Sequence, residues 1–238
     1  HHRLQAKMGV DADGRILAFE IDDLVGGGPF SAYPRTSIVE GNQVLNIAGG
    51  PYRVGGFRGK TTVVFQNMVP ISQYRAVGHP MGIVACDSLL EKVAGEIGID
   101  RLEIRRRNFI PDDGYPANSP GGIPLHDLSH QACLTKLEET IDLEALMRDQ
   151  AEAKERGVHR GIGFASFIKG TNPGALIYGP AKVPISAVDG CTIRFEPAGG
   201  VTCQIGVTEQ GQGTETMVAQ VVASAIGMSF DDIRVITG

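Results

Sequence analysis

Apolar and polar residues alternate along the first 25 positions. Leu4 to Val10 and Ile16 to Val25 each read as a strand, and Asp11-Ala12-Asp13-Gly14 supplies the turn between them. Gly26-Gly27-Gly28-Pro29 stops the second run, as a flexible or bulged strand end in preference to a ligand-approach site. Tyr33 to Asn46 follows neither period cleanly. Gly49-Gly50-Pro51-Tyr52-Arg53-Val54 breaks the pattern, and Thr61 to Phe65 resumes a β-branched strand. The period then changes to helical. From Met81 to Ile97 the apolar positions are 83, 86, 89, 90, 93, 94 and 97, with charge at Asp87, Glu91, Lys92 and Glu96, and Gly98 closes the run. Asp100 and Glu103 have capping-box spacing for a second, short helix. It ends in Arg105-Arg106-Arg107, where cations complement the carbonyl end of the dipole. The triplet therefore reads as a helix-end feature rather than a phosphate or nucleic-acid patch.

Four Pro and three Gly between Pro111 and Pro124 predict a crossing loop, so the chain divides into 1–112, a connection over 113–128, and 129–238. Ser129 to Thr140 and Leu143 to Arg156 read as helices, Gly161 to Ile168 as a strand, and Lys169 to Asp189 is rich in Gly, Pro and Ala. Cys191 to Phe195 and Val201 to Ile205 form a hairpin across Glu196-Pro197-Ala198-Gly199-Gly200. A helix follows, with apolar positions 218, 221, 222 and 225, then a last β-run from Ile233 to Ile236. The predicted class is α+β, mixed sheets with packed helices.

Composition narrows the function classes. At 238 residues the chain can bury a core, and 22 Lys plus Arg against 27 Asp plus Glu leave it mildly acidic, which argues against a nucleic-acid surface. No apolar run approaches the ~20 residues of a membrane span. Together with the lack of a signal-like start, this gives the expectation of a soluble, cytoplasmic protein, with the periplasm as the alternative. Both ends look cut from something longer, and His1-His2 reads as a tag remnant with no metal role. Cys86, Cys133, Cys191 and Cys203 lack metal-ligand or cluster spacing and read as plain buried or half-buried thiols.

Chemistry concentrates in Val207-Thr208-Glu209-Gln210-Gly211-Gln212-Gly213-Thr214-Glu215-Thr216. A strand that ends in a glycine turn and starts a helix aims free N–H groups and the positive end of a dipole at one place, so an anion belongs there. Gln210 and Gln212 each donate and accept, which suits the edge of a heterocycle. A nucleotide-like or pterin-like pocket is one reading; a tight strand-to-helix turn with no ligand stands at even weight. The pocket reading depends on those amides being available to a ligand. A second stretch, Ser72-Gln73-Tyr74-Arg75-Ala76-Val77-Gly78-His79-Pro80, precedes the long helix and can gather polar groups in one space. By composition alone, a core tyrosine, a surface arginine and a helix-entry histidine is the favoured account.

Thr-Glu-Gln-Gly-Gln-Gly-Thr-Glu-Thr followed by Ala219-Gln220-Val221 resembles the signature of the molybdenum-binding subunits of the xanthine dehydrogenase and aldehyde oxidase family. Gly-Pro-Tyr-x-Val at 50–54 and Glu-Ile-Arg-Arg-Arg-Asn-Phe-Ile-Pro at 103–111 are similar to it as well. The resemblance implies a molybdopterin cofactor, in its cytosine dinucleotide form, contacted by Gln210, Gly211, Gln212, Gly213, Thr214, Glu215 and Thr216, with no metal ligand from the protein. It implies the two-subdomain molybdopterin-binding fold, with the C-terminal part of the first subdomain in 1–112 and the N-terminal part of the second in 129–238. Tyr74 and Arg75 match the first two residues of an active-site loop that in relatives reads aromatic-Arg-Gly-x-Gly or Tyr-Arg-Cys-Ser-Phe-Arg, which makes Arg75 the candidate charged contact and Tyr74 its neighbour. Ala76-Val77 stands where carbon monoxide dehydrogenases carry Cys-Ser, so hydroxylation of an organic substrate is expected.

In the family the catalytic carboxylate base lies beyond residue 238, so neither Glu209 nor Glu215 is nominated and the chain by itself is expected to be inactive. Iron-sulfur and FAD groups are expected on partner subunits, in a dimer of heterotrimers, with a purine, N-heterocycle or aldehyde as substrate. Two other classes remain: a phosphate- or nucleotide-binding module, which lacks P-loop and Rossmann spacing, and a non-catalytic scaffold.

Overall fold

The computed structural model describes residues 1–31, 37–71, 75–170 and 189–238. It falls into two compact units, His1–Gly170 and Thr171–Gly238. The first unit begins with strands β1 (His2–Val10) and β2 (Ile16–Gly26), paired antiparallel, with β3 (Gly56–Val64) parallel to β2 on its other side. Asp11 makes the predicted turn: its Oδ1 accepts from the backbone N–H groups of Asp13 at 3.0 Å and Arg15 at 2.8 Å. β3 starts five residues before the expected Thr61, because its pairing with β2 begins at Ala18↔Gly56.

The segment of uncertain period resolves into helix α1 (Ile38–Ile47), the crossover between the two parallel strands; its first residues, 33–36, lie outside the described part. A parallel pair needs such a crossover. Helix α2 (His79–Ile97) packs on α1 and β1, and its stripe Cys86, Leu90 and Ala94 meets Phe19, Ile21, Val44 and Tyr52 in one core. Removing side chains like Phe19, Ile21 and Leu90 from water contributes about 1.5–3 kcal/mol each. Helix α3 (Arg101–Asn108) follows, with Asp100 Oδ1 accepting from the N–H groups of Leu102 and Glu103. The Glu103 half of the expected capping box is spent elsewhere: its carboxylate accepts from Arg107 Nε at 2.7 Å, a stronger, charge-assisted partner. The short strands β4 (Ala117–Asn118) and β5 (Pro124–Leu125) and helices α4 (His130–Thr140) and α5 (Leu143–Glu155) complete the named elements.

Residues 161–168 do not form the expected strand. They alternate between exposed and inward-facing, but side chains rather than a neighbouring strand hold the main chain. Gln150 Nε2 donates to the carbonyl of Arg160, Arg101 to that of Ile162 and Arg105 to that of Phe164, while Ser166 N–H donates to Asp87. The period is that of a strand; the partner is not.

Two further expectations are corrected here. His2 is no inert remnant: it pairs with Val25 in the sheet, and its Nδ1 lies 3.0 Å from Asp23, a fully buried carboxylate, with Nε2 3.7 Å from Glu40. Cys86 and Cys203 are buried as expected, but Cys133 and Cys191 are exposed.

The second unit is smaller. β6 (Cys191–Phe195) and β7 (Val201–Ile205) form the predicted hairpin, β8 (Ile233–Ile236) adds parallel to β7, and helix α6 (Thr214–Ile226) crosses over between them. Val201, Cys203 and Ile205 pack against Ala219, Val222, Ala223 and Ile233. Phe195, at the same face of β6, is 64% exposed, since α6 covers β7 and β8 only. Across the described residues the class is the expected one, mixed sheets with helices packed on them.

Candidate functional site

The loop from Gly206 to Gly213 carries the chain from β7 to α6, as the periodicity requires. Gly213 takes φ +76 as the residue that caps the helix, a conformation that glycine adopts without a Cβ penalty; no atom lies within 4 Å of where that Cβ would be. Gln210, Gly211, Gln212, Gly213, Glu215 and Thr216 are exposed, and Thr214 is buried. The structure thus brings the expected cofactor residues together on one exposed turn.

The amides of that turn are already engaged. Glu209 Oε1 accepts from Gln212 N–H at 2.7 Å and Gly213 N–H at 3.2 Å, and Oε2 accepts from Thr214 N–H at 2.6 Å. Gln212 closes the remainder: its Oε1 accepts from Gln210 N–H at 2.7 Å and its Nε2 donates to the carbonyl of Thr208 at 3.3 Å. The expectation of free N–H groups waiting for a ligand is therefore corrected. An anion does sit at the helix N-terminus, but the chain supplies it. Desolvation pushes the Glu209 carboxyl upward, and the N–H groups of Thr214, Gln212, Gly213 and Gly211 outweigh that and hold it below the usual glutamate value. Among the described residues no group of three or more His, Cys, Asp or Glu is placed to hold a metal ion.

In the first unit, Tyr74 lies outside the described residues and Arg75 is exposed. The three residues after it run through left-handed backbone: Ala76 at φ +78, Val77 at φ +40 and Gly78 at φ +77. For a β-branched residue this is a genuine outlier. Gly78 is required for space as well, because a Cβ there would come 2.2 Å from the carbonyl oxygen of Glu40. His79 opens α2 and is buried, with Nε2 3.3 Å from Gln43 Oε1 and Nδ1 without a partner. Burial and then Lys169 push its pKa down against the pull of Glu40, so the imidazole is held neutral.

Sequence reasoning missed a buried network around Arg105 and Asp87. Arg105, read as a helix-end charge, is 1% exposed. It bonds Asp87 at 3.0 Å and Glu91 at 2.7 Å, and it donates to the carbonyls of Arg101 and Phe164. Asp87 Oδ1 also accepts from Tyr52 Oη at 3.0 Å and Ser166 N–H at 3.2 Å, while its buried Oδ2 has no partner. One signal was in the sequence: Asp87 interrupts the apolar stripe of α2 next to Cys86.

Comparisons with known proteins agree with these elements. Two models described as molybdopterin cofactor-binding domain match residues 1–109 and 136–238. The chain is 29% identical to the nicotine 6-hydroxylase large subunit of Paenarthrobacter nicotinovorans, over 96% of this chain and 28% of that protein. It is 28% identical to the xanthine dehydrogenase molybdenum-binding subunit of Escherichia coli O157:H7, over 98% and 29%. Quinoline 2-oxidoreductase from Pseudomonas putida 86 superposes with a TM-score of 0.89 at 31% identity, over all of this chain and 30% of that one. The matches over both parts of the chain thus place it in a class of cofactor-binding proteins. The chain belongs to the molybdopterin cofactor-binding domain family, and it spans just under a third of the length of the relatives it matches.

Proposed function

We propose that the chain is the cofactor-holding part of a molybdenum hydroxylase that oxidises an N-heterocycle, purine or aldehyde with oxygen derived from water. The observation that carries this reading is the match of molybdopterin-domain models to both parts of the chain, with the exposed Gln210–Gly213 turn inside the second. The bound molybdenum cofactor, in the cytosine dinucleotide form, supplies the redox chemistry. This chain's residues do the holding: Gln210, Gln212, Thr214, Glu215 and Thr216 and the glycines 211 and 213 shape and line the turn, and Arg75 and Tyr74 form the substrate-facing loop. The donor set fits the group through neutral carboxamides at a heterocycle edge, since the amides serve Glu209. Two cofactor-binding subdomains joined across 113–128, iron-sulfur and FAD partners, a dimer of heterotrimers and a cytoplasmic location belong to the same proposal. None of the described helices is long and apolar enough to cross a membrane.

Ala76-Val77 in place of Cys-Ser supports an organic substrate over carbon monoxide. A phosphate-binding module is disfavoured by Glu209, whose carboxylate already fills the helix N-terminus that a phosphate would need. Metal and nucleotide analysis of the full-length protein tests the proposal. One molybdenum with one releasable CMP per chain is expected; adenine nucleotide, or neither metal nor nucleotide, overturns it.

A further inference from the structure

The two acceptors in the cofactor turn are not equivalent. Glu209 takes three charge-assisted bonds from successive amides at 2.6–3.2 Å, whereas Gln212 makes two neutral bonds, one of them stretched to 3.3 Å. Charge-assisted bonds are about twice as strong as neutral ones, so Gln212 is the group that an incoming ligand displaces first. The N-cap of α6 is Gly213, which has no side chain to satisfy the first N–H groups of the helix; Glu209, four residues back, takes that part. A phosphate brought to the same amides would meet a fixed carboxylate of like charge.

We propose that Glu209 is the positioning residue of the cofactor turn, a resident anion on the N-terminus of α6 that sets the loop's shape and leaves the Gln212 carboxamide, rather than the main-chain amides, to meet the cofactor. This rests on the reading of the turn as a molybdopterin site and deepens it: the recognised part is the neutral edge of the pterin, and the pyrophosphate is held away from residues 212–214. Glu209 acts through Gln212 and the backbone and touches no reacting atom.

The test uses the full-length protein and the variants Glu209→Gln and Glu209→Asp. Gln keeps the volume but offers one oxygen, so it cannot serve both Gln212 with Gly213 on one side and Thr214 on the other. In Glu209→Gln the melting temperature of the cofactor-depleted protein is expected to fall only slightly, as for one lost helix cap, while molybdenum and releasable CMP per chain fall roughly ten-fold. Glu209→Asp, which keeps the charge, should recover part of that loss. The amides of Gln212, Gly213 and Thr214 should exchange slowly in wild type with and without cofactor, and quickly in Glu209→Gln. Full cofactor content in Glu209→Gln overturns the proposal. So does tighter binding of inorganic pyrophosphate by cofactor-depleted Glu209→Gln than by wild type, which would make Glu209 a removable plug. If wild type carries no molybdenum and no nucleotide, the site reading fails. The amide exchange in Glu209→Gln still decides, independently, whether Glu209 organises the turn.

Discussion

Asp87 in the first unit and Glu209 in the second do similar work in opposite surroundings. Each carboxylate gathers donors from sequence-distant or successive groups and fixes a piece of chain that has no ladder of its own. Asp87 does so inside the core beside Arg105, where desolvation is the largest influence and raises its pKa against the pull of the guanidinium, Ser166 N–H and Tyr52. Glu209 does so in an exposed loop, where backbone donors prevail and lower it. The difference teaches that the same hydrogen-bond pattern is a liability to be paired when buried and a local organiser when wet. The pH signs differ accordingly. The folded state favours the proton on Asp87, so its contribution falls as pH rises from the ordinary value of 3.8 through the raised one. The Glu209 contribution is present above 4.5 and is lost as pH falls through the lowered one.

The largest expected effect breaks the buried side of this contrast. Arg105→Ala leaves Asp87 and Glu91 without their shared cation and should cost about 3–5 kcal/mol, read by urea unfolding of the full-length protein; a loss under ~1 kcal/mol would put the pair in the class of surface bridges. Next comes His2, bound to the fully buried Asp23, with its pKa raised to about 9 by Asp23 and then Glu40 against the cost of burial. Its contribution is complete below the ordinary value of 6.5 and disappears as pH rises through about 9. Discounted for partial solvation it is worth roughly 2 kcal/mol. The unfolding midpoints of wild type and His2→Gln should converge between those values, and a constant gap would sink the assignment.

Smaller again is Ala76→Gly. It relieves a left-handed alanine at φ +78 and should stabilise by up to about 1 kcal/mol, the gain offset in part by the freer unfolded chain. An unchanged or lower melting temperature would show that the neighbouring Val77 carries the strain. The most local effect sharpens the exposed side: in acid titration, the amides of Gln212, Gly213 and Thr214 should lose exchange protection only below pH 4.5, before any global transition. Loss of protection coincident with global unfolding would make the loop part of the core.

Much of this was legible in the sequence because periodicity and turn chemistry are local. The β1–β2 hairpin, α2 with Gly98, the Asp100 cap and the β6–β7 hairpin each follow from residues near one another in the chain. What escaped depends on distant partners. Tyr33 to Asn46 gave no clear period, and its described part is helical because β2 and β3 are parallel and need a crossover. Residues 161–168 carry strand alternation without a strand partner, and the buried face of Arg105 depends on Asp87, eighteen positions earlier. The part played by Glu209 is not legible either, since it depends on the loop folding back to satisfy the N–H groups of its own helix start. Membership of the molybdopterin cofactor-binding family rests on the family models, not on open amides.

The main chain from 160 to 166 is gripped by four side-chain fingers of three kinds, Gln150, Arg101 and Arg105, and Asp87. A paired strand can slide by two residues and find equivalent bonds, but this stretch cannot, since the two arginines and Gln150 need carbonyls and Asp87 needs an N–H, each at its own height. Because the fingers hold peptide groups, they do not read the outward positions 161, 163 and 165, which are Gly, Gly and Ala. A single inserted or deleted residue, by contrast, would misalign every grip at once, so length rather than composition is what this segment has to preserve.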